Sequence, residues 1–208
     1  MGRAGGSGER LARSLAGAIS DERVLDAVAT VPRDRFVAER DRRRAWANRP
    51  LALPCDQTIS QPLVVARMCE LLELDPAHRV LDVGTGSGYH AAVLAQLARH
   101  VWSIERHPEL ASMARRNLAA AGVANVTVLT GDGTGGHPPA APFDAINVGA
   151  AAPTGPPAAL EAQLAPGGRL VVPVGAGDQH LVLVRRSPEG LHRVRREPVR
   201  FVPLIGEE

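Results

Sequence analysis

The sequence contains no lysine, so all 24 of its basic residues are arginine. Together with 22 acidic residues they give a formal net charge of only +2, which does not indicate a protein that binds nucleic acid over its whole surface. Two arginine-rich segments, residues 33–46 and 185–200, are interleaved with acidic residues and prolines, so we interpret them as solvent-exposed faces. Aromatic residues are only 3% of the chain, too few to form base-stacking platforms.

Cysteines and long apolar runs are also scarce. The two cysteines, Cys55 and Cys69, form no CxxC pattern, which argues against a disulfide scaffold or a zinc site. No run approaches the roughly 18 apolar residues of a transmembrane helix, and the first ten residues lack the apolar core of a secretory signal. These features favour a cytoplasmic protein. The seven histidines include no helical i, i+4 pair, so no metal site is predicted.

Strand and helix patterns alternate from Arg79 onward, and strands are predicted at Arg79–Val83, His100–Glu105, Val126–Thr130, Phe143–Val148 and Gly168–Val174. Near-continuous apolar strands separated by helical stretches are typical of a doubly wound α/β fold, a mostly parallel, Rossmann-like sheet. The last helical stretch, PPAALEAQLAPGG, is expected to end at its Pro-Gly-Gly stop signal. Two further strand patterns, the second running through VRFVPL, flank Ser187–Gly190 and predict an antiparallel C-terminal strand pair. We expect one domain, with a helical cap at 1–50, an α/β core at 51–184 and a C-terminal channel segment at 185–208.

Three glycines follow the first core strand, in LDVGTGSGYH. Gly84, Gly86 and Gly88 lie at the carboxyl end of that strand, where doubly wound sheets bind ligands. The dinucleotide fingerprint G-x-G-x-x-G needs its third glycine one residue later, so a nicotinamide dehydrogenase is the weakest hypothesis. A G-x-G-x-G loop after an acidic strand end is the usual form in S-adenosylmethionine (SAM)-dependent methyltransferases. We therefore predict that the loop, including Thr85, binds SAM, with Asp82 near the amino group of its methionine moiety.

Acidic residues also end the next two strands. Glu105 lies about twenty residues after the loop, where a carboxylate can accept both ribose hydroxyls. Asp132 and Gly133 follow the third strand, where the carboxylate can accept from the adenine amino group and the backbone can contact the ring edge. Three carboxylates at three successive strand ends make a chance arrangement improbable, which strengthens the prediction of a SAM site.

The segment QTISQP, residues 57–62, precedes the helix that leads into the first core strand. With VPRDRFV, LDVGTGSGYHAAVLA, GDG, FDAINVGAAAP, LAPGGRLVVPVG and VRFVPL, it makes residues 31–204 resemble the protein-L-isoaspartate O-methyltransferases. This resemblance implies methyl transfer from SAM to the free α-carboxylate of L-isoaspartyl residues in damaged proteins or peptides. The methyl ester then collapses to a succinimide, so the activity is one of protein repair. We expect a monomer that binds neither nucleic acid nor membrane.

The resemblance also places the acceptor. It implies that Ser60 stands beside the cofactor and the acceptor carboxylate as the catalytic residue. Alternatively, Thr58 and Ser60 cap the helix that begins near Pro62. A carboxylate with a pKa of about 3.5–4 is already ionised at pH 7, so no general base is required. The residues expected to contact the substrate are Thr58, Ile59, Gln61, Val202, Pro203 and Leu204.

One departure from the family pattern leaves the acceptor open. Family members commonly carry a glycine-rich I-G-x-G approach to T-I-S, whereas this chain has Leu53-Pro54-Cys55-Asp56. Asp56 places a negative charge close to a site meant for a carboxylate. The alternatives are therefore a related enzyme that esterifies an aspartate in a ribosomally made peptide to form an aspartimide, or another small-molecule O-methyltransferase. An arginine-rich RNA-interaction module is a third hypothesis, but it leaves TISQP and FVPL unexplained.

Overall fold

A seven-stranded sheet forms the centre of the computed structural model, which describes residues 6–206. Residues 1–5 of the predicted cap and residues 207–208 of the predicted C-terminal segment lie outside the described residues. The α-helices are α1 (Ser7–Leu15), α2 (Glu22–Thr30), α3 (Pro62–Leu72), α4 (Tyr89–Leu97), α5 (Pro108–Ala120) and α6 (Ala158–Ala162). The strands are β1 (Leu51–Ala52), β2 (Thr58–Ile59), β3 (Arg79–Val83), β4 (His100–Glu105), β5 (Val126–Thr130), β6 (Phe143–Val148), β7 (Leu164–Val174), β8 (Gln179–Ser187) and β9 (Gly190–Val199).

The sheet has the strand order β5-β4-β3-β6-β7-β8-β9. The strands from β5 to β7 in that order are parallel, and β8 and β9 complete the sheet antiparallel. The predicted doubly wound fold with an antiparallel C-terminal pair is confirmed. Because β3 pairs with β4 on one side and β6 on the other, the chain reverses its direction of winding at β3. The carboxyl ends of β3 and its neighbours are therefore the expected ligand site of this fold.

The helical cap is tied to the core by a buried arginine. Arg33 lies in the 3-10 turn Arg33–Phe36 and is 0% exposed, so the prediction that segment 33–46 is a solvent-exposed face is wrong at this residue. Its Nε donates to the Ala45 carbonyl at 2.8 Å, and its guanidinium lies 4.7 Å from the centre of the Tyr89 ring at the start of α4. A guanidinium over an aromatic face is attractive, so the cap is held directly behind the glycine loop.

Two predicted elements differ in extent. α6 stops at Ala162, and residues 164–168 join β7, because Leu164 already pairs with Phe143. The Pro-Gly-Gly sequence therefore makes an irregular strand entry with Gly167 at φ +79° and does not end a helix. The last strand stops at Val199, and the segment after it leaves the sheet edge and pairs through Pro203 with Ala151.

The start of α3 is also capped differently from the prediction. Its N-cap is Gln61, with no side-chain cap bond, and the Leu63 N–H donates to Asn48 Oδ1 at 3.0 Å. Within residues 6–206 the hydroxyl of Ser60 makes no hydrogen bond, so the helix-capping alternative for this serine is wrong. None of the helices among the described residues is long and apolar enough to cross a membrane.

Candidate active site

A cleft of about 370 Å³ opens at the carboxyl ends of β3 and β4. It lies where the strand order reverses, and its volume is in the range of small-ligand sites. Six segments of the chain form its wall: the β1–β2 hairpin, the glycine loop, the end of β4, the turn after β5, the turn after β6 and the C-terminal segment. The lining residues include Gln57, Thr58, Val83, Gly84, Gly86, Glu105, His107, Gly133, Gly149, Ala150, Val202, Pro203, Leu204 and Ile205.

The glycine loop presents bare backbone to this cleft. Gly84 and Gly86 have φ of +91° and +55°, a region that side chains rarely adopt. The N–H groups of Gly84 and Thr85 both donate to the Ile104 carbonyl, at 2.9 and 3.2 Å, which holds the loop against β4. Gly88 has a different position, since a Cβ there would lie 3.3 Å from the Ala114 Cβ on α5. Gly88 is outside the lining residues of the cleft and lets α4 pack closely on α5.

Glu105 connects the glycine loop to the end of β4. Its Oε2 accepts the Gly86 N–H at 2.8 Å, and its Oε1 accepts the His107 N–H at 3.0 Å. The residue is 5% exposed and that remaining surface faces the cleft. An ionised carboxylate has about four acceptor positions, so two remain for donors of a bound ligand. The predicted contact of Glu105 with ribose hydroxyls is compatible with this geometry.

Asp82 lies beneath the loop and not on the wall of the cleft. Its side chain is 0% exposed, with Oδ2 accepting from Ser103 Oγ at 2.6 Å and Oδ1 from Asn147 Nδ2 at 2.7 Å. The buried Thr85 hydroxyl joins this network at 2.6 Å from Ser103 Oγ. Burial raises the pKa of Asp82 to about 6, although the bonds from Ser103 and Asn147 oppose this effect. Direct contact of Asp82 with a cofactor stays a prediction.

The turn after β5 brings Gly133 to the cleft. A Cβ at this position would lie 2.6 Å from Val83 Cγ1, so only glycine fits between the turn and β3. Asp132 is half-buried beside it, and its Oδ1 accepts both the N–H and the hydroxyl of Thr134 at 2.8 Å. Asp132 is outside the residues that line the cleft, and its predicted bond to an adenine amino group stays a prediction.

A second cavity, of about 210 Å³, joins the cleft and is here named the acceptor cavity. It shares Thr58, Gly149 and Val202 with the cleft, and Ser60 and Gln61 line it as well. Ile59 is buried in the core at 3% exposure and, like Ser60, borders a small pocket of about 40 Å³. The remaining residues of the acceptor cavity are Pro50, Val64, Pro198, Val199, Arg200 and Phe201.

The C-terminal segment is fixed by backbone bonds to the turn after β6. The Ala151 N–H donates to the Val202 carbonyl and the Leu204 N–H donates to the Ala151 carbonyl, both at 2.8 Å. Alternate residues of an extended chain point to opposite edges, so Pro203 faces the other way. Because proline has no N–H, this residue offers an incoming chain only its carbonyl. Pairing of this segment with a substrate chain, as an added edge strand, would therefore be limited to few hydrogen bonds.

Three residues around the two cavities were not among the predicted site residues. Arg200 lines the acceptor cavity with an exposed guanidinium that has no hydrogen bond or ion pair within residues 6–206.

Asn147 Nδ2 lies 2.7 Å from Asp82 Oδ1 and 3.2 Å from His90 Nδ1, while its own Oδ1 is buried without a partner in the described part. Removal from water lowers the pKa of His90 to about 3, so the ring is neutral at pH 7. A polar Asn147 inside the apolar strand FDAINV was the available signal.

Asp56 does not carry its charge into the acceptor cavity. Cys55 and Asp56, with φ of +58° and +55°, form the tip of the hairpin between β1 and β2, and the Gln57 N–H donates to the Pro54 carbonyl at 3.2 Å. Positive φ at both central residues is the geometry of a type I′ turn. Asp56 is exposed there and is outside the lining residues of both cavities. The charge of Asp56 therefore lies outside the walls of both cavities, and its effect on the choice of acceptor stays a prediction.

The sequence as a whole matches the family model of the protein-L-isoaspartate(D-aspartate) O-methyltransferases over residues 10–208. The chain belongs to this family. The predicted family resemblance over residues 31–204 is confirmed, and the matched region is wider. Within residues 6–206 no cluster of three or more potential metal ligands occurs.

Relatives within the family are similar over nearly the whole chain. The protein-L-isoaspartate O-methyltransferase of Koribacter versatilis is 52% identical over 191 residues, which cover 91% of this chain and 86% of the relative. Protein-L-isoaspartate O-methyltransferase 2 of Marinobacter nauticus is 54% identical over 193 residues, covering 91% and 88%.

Two solved structures share the fold of this chain. One protein-L-isoaspartate O-methyltransferase has a TM-score of 0.85 at 27% identity, over 95% of this chain and 66% of that one. A Plasmodium falciparum protein of the same description, solved in complex with S-adenosyl-L-homocysteine, has a TM-score of 0.83 at 24% identity over 96% of this chain. The second likeness is one of fold alone.

Proposed function

We propose that this enzyme transfers the methyl group of SAM to the free α-carboxylate of L-isoaspartyl residues in proteins or peptides, which leads through a methyl ester to a succinimide. The observation that carries this proposal is the junction of two cavities. A cleft with the features of a nucleoside site shares Thr58, Gly149 and Val202 with a cavity that holds an unbonded serine hydroxyl. A donor in the cleft and a carboxylate in the acceptor cavity would meet at this junction.

The residues of the cleft fit SAM. Bare backbone at Gly84, Gly86 and Gly133 allows close approach of a ligand, and Glu105 keeps acceptor positions for the ribose hydroxyls. SAM supplies a methyl group on a positively charged sulfur when it is bound. A cation above the loop favours the ionised form of Asp82, so the buried carboxylate supports the charge of the cofactor from below.

In the acceptor cavity, this chain has to orient a carboxylate and not to remove a proton. The acceptor is already ionised at pH 7, and alignment of its oxygen with the methyl group can supply roughly 7–11 kcal/mol. Ser60 is free to donate a hydrogen bond to the carboxylate, which is worth about 1.5–3 kcal/mol for a charged partner. The unpaired guanidinium of Arg200 adds attraction at the mouth of the same cavity.

The remaining expectations concern assembly and location. We infer a monomer because Val194 and Ile205 are the large hydrophobic residues that stand out as exposed among residues 6–206, and two scattered side chains do not form an apolar association patch. A cytoplasmic location stays a prediction from the cysteine content. Cys55 and Cys69 are both free thiols.

The test uses methyl-labelled SAM and two peptides that differ only in L-isoaspartate or normal L-aspartate. We expect base-labile label on the isoaspartyl peptide alone. Ser60→Ala should lower kcat on this peptide by about tenfold or more at unchanged SAM affinity, while Ser20→Ala, which removes an exposed hydroxyl outside both cavities, should have no effect. Label on the aspartyl peptide would favour the aspartimide-forming alternative. Label on neither peptide, with SAM bound, would refute the proposed acceptor.

A further inference from the structure

A groove of about 510 Å³ continues the acceptor cavity along the seam between α3 and β9. It shares Gln61, Val64, Pro198 and Val199 with the acceptor cavity and has no lining residue in common with the cofactor cleft. A ligand that occupies it would therefore be attached to the acceptor and not to the cofactor. The other lining residues of this peptide groove are Ala18, Leu63, Arg67, Leu181 and Glu197.

The peptide groove is apolar although two charged residues line it. Arg67 Nε donates to Glu197 Oε1 at 2.5 Å, and Arg67 Nη1 donates to Glu70 Oε2 at the same distance. The hydrogen bond to Glu197 is the first cause that raises the pKa of Arg67. Since the guanidinium is held between two carboxylates, the groove offers no unpaired cation to an acidic side chain. The rest of its lining favours an aliphatic or aromatic side chain.

The length of the groove sets the spacing of that side chain from the acceptor. From Gln61 to Arg67, six residues of helix rise about 1.5 Å each, or roughly 9 Å. On the facing wall, the three steps from Arg200 in the acceptor cavity to Glu197 in the groove span roughly 10 Å of extended chain. An extended substrate covers the same distance in about three residues.

We infer that an extended segment of the substrate polypeptide lies in the peptide groove, with an apolar side chain seated there about three positions from the isoaspartyl residue. This inference rests on the proposed function. Three observations support it. The groove is continuous with the acceptor cavity, its length matches about three residues of extended substrate, and its Arg67 is paired with carboxylates, so that the groove favours an apolar side chain. The enzyme would then favour damaged sites that have a hydrophobic residue at this spacing, on one side of the isoaspartyl residue.

The experiment compares isoaspartyl peptides that carry leucine or serine at each position from four before to four after the damaged residue. We expect leucine at one position, about three residues away, to lower KM by about tenfold with kcat unchanged. Ala18→Trp should fill the far end of the groove from an exposed position without removing core contacts. Ala16→Trp is the matched control, since Ala16 is exposed on the same connection and outside the groove.

The variants separate this inference from the proposed function. Ala18→Trp should abolish the preference, so that the leucine and serine peptides have the same KM, and Ala16→Trp should keep the preference. Equal KM values for leucine and serine at all positions would overturn the groove assignment but leave the methyltransferase proposal intact. A leucine preference that survives Ala18→Trp would also overturn the groove assignment and leave the methyltransferase proposal intact. Methylation of no isoaspartyl peptide would overturn both.

Discussion

Replacing Asp82 with asparagine is expected to stabilise the protein at pH 7 and, at the same time, to weaken the binding of SAM. The Asp82 carboxyl is 0% exposed beneath the glycine loop and accepts hydrogen bonds from two neutral groups, on Ser103 and Asn147. Burial disfavours the charged form of a carboxyl, and it raises the pKa of Asp82 to about 6. At pH 7 the folded protein therefore holds a buried charge that the unfolded chain exposes to water.

The raised pKa determines the sign and the size of the pH dependence. Between 3.8, the ordinary value, and about 6, the folded state binds more protons at Asp82 than the unfolded state does. The free energy of unfolding therefore falls as pH rises through this window. The difference between the two pKa values corresponds to about 3 kcal/mol in the free energy of unfolding. This stabilisation is fully present below pH 4 and lost above pH 6. An asparagine cannot ionise, so Asp82→Asn should match the wild type near pH 4 and exceed it by about 2–3 kcal/mol at pH 7.

The hydrogen-bond network can accept this substitution. Ser103 can still donate to the amide oxygen. The Oδ1 of Asn147 has no partner within the described residues, so its amide can turn over and accept from the introduced NH₂ group. SAM should lose the support of a negative charge below its cationic end, and its Kd should rise by about tenfold or more.

The assays are urea unfolding at pH 4, 5.5 and 7, and titration calorimetry with SAM. Asp178→Asn is the control, because Asp178 is exposed and is outside the residues that line the cleft. A stability difference that does not grow between pH 4 and pH 7 would refute the argument from burial. An unchanged or lower Kd for SAM would refute the role of the carboxylate beneath the cofactor.

Three further substitutions test the cleft and the acceptor cavity. Gly133→Ala should destabilise the fold by about 1–3 kcal/mol because its Cβ would lie 2.6 Å from Val83 Cγ1, which thermal unfolding will measure. Glu105→Gln should raise the Kd for SAM by about 10- to 100-fold, since the neutral amide loses a charge-assisted bond from Gly86 or His107. Arg200→Ala should raise the KM for isoaspartyl peptide by several-fold at low salt and have little effect at high salt, because an exposed charge is screened.

Each of these substitutions has a matched control in the same chain. Gly135→Ala meets no atom within 4 Å and should leave stability unchanged. Glu22→Gln changes an exposed carboxylate on the first turn of α2, outside the lining of the cleft. Arg43→Ala removes an exposed guanidinium that is far from Ser60 in sequence and outside the acceptor cavity. If a control has the same effect as its partner, the local explanation for that pair is wrong.

The core strands could be predicted from the sequence because their signal is local. Arg79–Val83, His100–Glu105, Val126–Thr130 and Phe143–Val148 have the predicted bounds, since each is an apolar run that ends at a glycine or a polar residue. The same locality explains why the position of the glycine loop, directly after Arg79–Val83, could be predicted. At Pro166–Gly168 the local sequence predicts the end of a helix. The structure instead has a strand there, because Leu164 pairs with Phe143. That pairing joins residues that are distant along the chain.

The junction of the two cavities was not predictable from local patterns, because contacts between distant residues create it. Asn48 takes over the cap of α3 and thereby leaves the Ser60 hydroxyl without a structural partner. The segment after β9 leaves the sheet because Val202 and Leu204 bond to Ala151, and this turn brings Arg200 to the acceptor cavity. Ser60 and Arg200 are thus available to contact the acceptor, because residues far away in sequence make the structural hydrogen bonds of this region. Asn48→Ala should therefore lower kcat on the isoaspartyl peptide, measured with methyl-labelled SAM. A helix end that lacks its cap would draw the Ser60 hydroxyl toward the Leu63 N–H and away from the acceptor.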